Sequence, residues 1–185
     1  PQGFSRRRLI DPAICGHHVG RLPSIHDLNG LAALLEGSDD AALQGNLAAV
    51  VDYALHPAYH ALEDGYGVVW AGGRKFYALG WDAQVPGFDG FEEPGRMTCL
   101  LPRLMTMARI PAARSHPWFG AVLEHLESFR TERGTYRFPT GYLIDREGYW
   151  VSGYGMGLGE NRRSPLAREI ESTFWRLWIG RLAGL

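Results

Sequence analysis

Six carboxylate side chains close in sequence to aromatic residues, Asp64, Asp82, Asp145, Glu160, Glu169 and Glu171, are the groups here best suited to acid–base chemistry. That chemistry needs two carboxyls in a pocket with separated pKa values, one to give a proton and one to take it. Asp64, Asp82 and Glu160 are the catalytic candidates. Glu169 and Glu171 fall in a predicted helix, where Glu171 can pair with Arg168 three residues before it. Rings that could line a ligand cleft are Trp70, Tyr77, Trp81, Tyr136, Tyr142, Tyr149, Trp150 and Tyr154, most of them in predicted loops. Such rings either plug the ends of a helical bundle or wall a pocket. Arg162 and Arg163 stand just before a predicted helix N-terminus, where free N–H groups and the helix dipole favour phosphate or carboxylate.

Other chemistries find less support. Cys15-Gly16-His17-His18, with His26 beyond, offers zinc-ligand types but no second Cys pair and no helical His spacing. His56 and His60 would share a helix face, yet Pro57 lies between them, so no metal site is expected. The glycines from Gly153 to Gly159 are not a dinucleotide loop, because Glu160-Asn161-Arg162-Arg163 intervenes before the next helix and no βαβ pattern surrounds it. No G-x-S-x-G elbow is present. Cys99, between apolar residues, reads as a small core side chain.

These residues need elements to hold them. Residues 1–23 carry Pro, Gly and three consecutive arginines and read as an irregular leader, and 24–185 as a single helical domain. Helices are expected from Ser24 to Glu36, from the cap Ser38-Asp39-Asp40 to Pro57, from Met97 to Ile110, from Ser115-His116-Pro117 to Thr131, and from Ser164-Pro165 to Leu182. In the last, Leu166, Ile170, Phe174, Leu177 and Trp178 are expected to form the inner face. Residues 65–81, aromatic and β-branched around Gly72-Gly73, read as a small hairpin or an aromatic loop. Pro and Gly mark a connector over 85–95, and 134–164 is a long Gly- and Tyr-rich connection.

Composition bounds the function. Of 185 residues 45% are hydrophobic and 12% aromatic, enough for a packed core. A net charge of −1 gives no long-range attraction to nucleic acid or anionic lipid, so neither nucleic acid nor membrane is an expected partner. No run reaches the length of a spanning helix, Pro1 to Arg8 lacks the apolar stretch of a secretory signal, and two distant cysteines suit a reducing compartment, so a cytoplasmic location is expected. The first residue is not Met, which leaves room for a preceding segment.

Several stretches together resemble a known group. They are Asp64-Gly65-Tyr66-Gly67, Tyr77 to Trp81 with Val85-Pro86-Gly87-Phe88, Glu132 to Pro139, Gly155 to Glu160, and Arg168 to Trp175. Across about residues 40–180 the chain resembles an uncharacterised bacterial family related to the α/α-toroid terpene cyclases and prenyltransferases. The resemblance implies a mainly α fold, a partial α/α toroid of antiparallel helical hairpins around an aromatic-lined cavity. It implies neither a reaction nor a cofactor, since the DxDD acid motif and the zinc ligands of those enzymes are missing. Three readings follow. The first is a domain binding an isoprenoid- or saccharide-like small molecule; the second is an enzyme of that lineage (cyclase, transferase or glycoside-cleaving) using paired carboxylates; the third is a non-catalytic protein-interaction module. A filled interior with an exposed apolar patch is the mark of the third.

Overall fold

Helix starts follow the polar residues that cap them. Ser24 and Asp27 form a reciprocal box at the head of α1 (Ile25–Leu35): the Ser24 hydroxyl accepts from Asp27 N, and the Asp27 carboxylate accepts from Ser24 N at 2.9 Å. Asp40 caps α2 (Ala41–Ala54) by accepting from Ala42 N at 2.8 Å and Leu43 N at 3.2 Å. Pro57 sits in the first turn of the short α3 (Pro57–His60). The computed structural model describes residues 23–61, the backbones of 67–70 and 76–79, and residues 83–91, 97, 99–143 and 164–185. Those residues are mainly helical, and the chain divides into two compact units, Pro1–Gln84 and Val85–Leu185.

In the first unit α1 packs on α2, with Leu28 and Ala32 on one side and Leu47, Val51 and Ala54 on the other all buried. Tyr59 of α3 is fully buried and ties the end of the unit back: its hydroxyl accepts from Ala83 N at 3.0 Å, and its carbonyl accepts from Gln84 Nε2 at 3.1 Å. β1 (Gly67–Trp70) pairs antiparallel with β2 (Phe76–Leu79), Val69 opposite Tyr77 and Trp70 opposite Phe76. The residues joining them, 71–75, lie outside the described set.

The second unit is built on α4 (Leu100–Ala108), whose Leu100, Leu101, Leu104 and Met107 are all fully buried. Against it pack α5 (Pro111–Arg114), α6 (Pro117–Glu127), a 3₁₀ turn (Thr140–Leu143) and the long α7 (Pro165–Ala183). Proline opens three of these helices at their first turn, where its missing N–H is not needed. α7 ends at Gly184, whose φ of +77° suits glycine, while Leu185 N donates to Gly180 O at 2.9 Å. Arg114 adds an outside cap, donating to the carbonyls of Leu182 and Ala183 at 3.3 and 3.2 Å.

One expectation is overturned here. The proposed inner face of the last helix faces out: Leu166 is 65% exposed, Leu177 64%, Ile170 46%, Trp178 38% and Phe174 37%. The side turned to the core carries Ala167, Glu171, Ser172, Trp175 and Ile179. The reason lies in size as well as polarity. Ala167 and Ser172 are small enough to let another helix approach, while Trp175 and Ile179 supply the apolar area. Among the described residues no helix is long and apolar enough to cross a membrane.

Candidate functional site

The second unit gathers its rings around the C-terminal half of α6. Along that helix Val122 and Leu126 are fully buried, and His125 lies beside them on the same face. The His125 ring is sandwiched by geometry rather than by charge. Phe91 stacks on it with centroids 4.0 Å apart and planes 5° apart, and Phe129 meets it edge-on at 5.1 Å. Its Nε2 shares a 2.7 Å hydrogen bond with the Tyr142 hydroxyl. Burial holds the imidazole below its ordinary pKa and the Tyr142 phenol above its own, so at neutral pH both groups are uncharged. Phe138, fully buried, joins this group to Tyr136 at 6.1 Å and to Tyr142 at 6.4 Å.

The loop carrying Phe91 is pinned by the same helix. Trp118 Nε1 donates to Pro86 O at 2.9 Å, and Phe88 stacks on His116 at 6.1 Å. Gly87 is required in this loop on two counts: its φ is +74°, and a Cβ there would run into the Phe91 ring.

Next to the rings runs a chain of polar groups. The Tyr136 hydroxyl donates to Glu127 at 2.8 Å, and Arg176 Nε donates to the same oxygen at 2.9 Å. Arg176 also stands 5.6 Å from the Tyr136 ring centre, within cation–π range. Partial burial pushes the Glu127 carboxyl up, but the hydrogen bonds from Tyr136 and Arg176 and the charges of Arg176 and Arg130 outweigh it, leaving the pKa below its ordinary value. Tyr136 is raised, first by burial and then by its bond to Glu127. Glu169 accepts from Thr135 and from Arg137, the latter at 2.6 Å, and these bonds lower its pKa. Both carboxylates serve as anchors for the segment 135–138, whose Tyr136 N and Phe138 N donate to Thr173 and Ser172 of α7.

Of the residues singled out by sequence, Tyr136 and Tyr142 are both buried and belong to this one ring group. Their surroundings are those of packed rings. For Trp70 and Tyr77 only the backbone pairing is described. Asp64, Trp81, Asp82, Asp145, Tyr149, Trp150, Tyr154, Glu160, Arg162 and Arg163 lie outside the described residues, as do Cys15, His17 and His18. Glu171, expected at a helix edge, is fully buried, and Arg168 reaches Thr140. Arg103 of α4, 4% exposed, is a buried cation that sequence reading passed over. His56 and His60 serve the backbone: His56 Nδ1 accepts from Ala58 N at 3.1 Å, and His60 Nε2 donates to Ala54 O at 3.0 Å. Among the described residues no cluster of three metal-ligating side chains occurs.

His125 is the residue that sequence reading missed. The sign was there, since Val122, His125, Leu126 and Phe129 follow one helical face and only the histidine breaks the apolar run. The second feature it missed is the outer stripe of α7. There Phe174 and Trp178 stack with centroids 6.3 Å apart and planes 11° apart, which holds two large rings side by side on an exposed surface. Comparison with known proteins finds no matching family model, no matching curated protein and no matching solved structure.

Proposed function

We propose that this chain is a protein-interaction module whose second unit docks an apolar helical surface of a partner protein on the outer stripe of α7. One observation carries the reading: Leu166, Ile170, Phe174, Leu177 and Trp178 are all exposed, and they adjoin one another along one side of the helix. A stripe of this kind has about 500 Å² of apolar surface, at the upper end of what a monomer ordinarily leaves in water. Trp and stacked aromatic pairs are the anchors that dominate binding energy, because each fills a large area at little cost in side-chain freedom. The helix beneath is firm, with its far end held by Arg114 and Gly184.

The test has two readouts. In a Phe174→Glu/Leu177→Glu variant the helical circular dichroism and thermal midpoint are expected to stay within a few degrees of wild type, because nothing is removed from the core. Affinity for a panel of amphipathic helical peptides, read by fluorescence anisotropy, is expected to fall at least tenfold. A variant that unfolds would mean that the stripe belongs to the interior. A wild type that binds none of the peptides would remove the docking role.

The ring group at His125 favours a second reading, a small ligand of isoprenoid or saccharide type taken among aromatic walls, as the partial toroid implied by family resemblance would have it. Support comes from Phe91, Phe129 and Tyr142 converging on one imidazole, the mixture of flat apolar faces and one polar atom that such ligands use. A thermal-shift screen of isoprenoid and saccharide libraries tests it. A hit must lose its shift in His125→Ala, since native-state binding raises apparent stability only where the site survives.

A further inference from the structure

From the α7 stripe we infer that its partner is a second copy of this chain, paired across a two-fold axis that crosses the outer face of α7 midway between Ile170 and Phe174; this rests on the docking role proposed above. Leu166, Ile170, Phe174 and Trp178 follow each other at intervals of four, so they form a single ridge of the kind that fits the matching groove of another helix at a crossing angle of about −50°. The row is symmetric about that midpoint. A two-fold axis there sets Ile170 of one copy against Phe174 of the other at the crossing point, with Leu166 and Trp178 flanking.

Charge permits the match. From Pro165 to Trp178 the residues of α7 classed as exposed are Pro165 and the five apolar residues of the stripe, and the first exposed charge beyond them is Arg181. A face with no charge at its centre can be laid on its own copy without opposing like charges, the penalty that usually forbids self-pairing of a helix surface. Area fits as well. A stable pair needs about 800 Å² from each copy; the stripe gives about 500 Å², and half-buried neighbours such as Thr173, with Arg181 at the rim, supply a polar border.

Sedimentation equilibrium of the whole chain, from sub-micromolar to a hundred micromolar, tests the pairing. Wild type is expected to reach twice the chain mass. Ile170→Glu and Phe174→Glu, each of which puts its new charge into the interface twice, are expected to raise the dissociation constant by about 100-fold or more. Leu34→Glu, at an exposed leucine of α1, is expected to leave the mass doubled. If a glutamate variant misfolds, a mixture of Ile170→Cys and Phe174→Cys chains under mild oxidation replaces it. A disulfide between 170 and 174 of different chains supports the axis, and its absence, with a Leu34→Cys mixture as control, overturns it. A wild type that stays monomeric also overturns the self-pairing. In that case peptide binding sensitive to Phe174→Glu keeps the docking role with a different protein as partner, and loss of both removes the role as well.

Discussion

His125 stands neutral between Phe91 and Phe129 because burial makes its charged form costly. The sign of the linkage follows. With the folded pKa below the unfolded value of about 6.5, the unfolded chain binds the extra proton first as pH falls. Stability from this group is therefore full above about pH 6.5 and declines as the pH drops toward the folded pKa. The thermal midpoint of wild type is expected to fall over that window, and His125→Phe is expected to flatten the slope; a pH series of melting curves followed by circular dichroism reads both. A parallel slope in the variant would assign the loss to another group. Gly87 is the second single-residue lever. Gly87→Ala is expected to cost about 1–2 kcal/mol through its positive φ alone and to displace the Phe91 ring, visible as loss of the ring-current shift on the His125 protons. At this scale the sequence announced Tyr136 and Tyr142 through their type, whereas Glu127 and Arg176 gave no sign, since a pair 49 residues apart meets only after α6 and α7 are packed.

Helices were more legible than the faces they bury. Ser24, Asp40 and the prolines at 117 and 165 mark starts by local chemistry, and these starts occur where that chemistry requires; Pro57, expected only to close the helix before it, also opens α3. Pro111 does two tasks, ending α4 and opening α5. Orientation is a different matter, because it is settled by neighbours. α7 carries two apolar stripes, and the larger lies outside; counting apolar residues favours Leu166, Ile170 and Phe174 as the inner face and leaves Glu171 at the helix edge. Residues 144–163, which hold Tyr149, Trp150 and Tyr154 of the candidate rings and the two arginines, precede this helix and lie outside the described set. Two measurements address α7 as an element. Arg114→Ala removes two donated hydrogen bonds from its last carbonyls and is expected to cost about 1 kcal/mol, measured by urea unfolding. Glu127→Gln breaks the charge-assisted link to Arg176; the wild-type protein is expected to lose stability as pH falls below the ordinary carboxylate range, and the variant to lose less. The sign is that of a depressed carboxyl: its contribution is present above about pH 4.5 and disappears through the folded pKa.

At the scale of the whole chain, the division falls between Gln84 and Val85 and gives two compact units. The ring group, the Glu127–Arg176 link and the outer stripe all belong to the second. A chain reduced to residues 85–185 is expected to keep its helical spectrum and the same pH-dependent midpoint assigned to His125, measured side by side with the full chain; a spectrum without helix would show that the second unit depends on the first. The first unit has its own device in Tyr59, which grips Ala83 with its hydroxyl and Gln84 with its carbonyl. One consequence concerns engineering: because the chain leaves Tyr59 and comes back to that same side chain and carbonyl at Ala83 and Gln84, the two ends of the intervening stretch are fastened to a single clasp, and Tyr59→Phe would release the returning end.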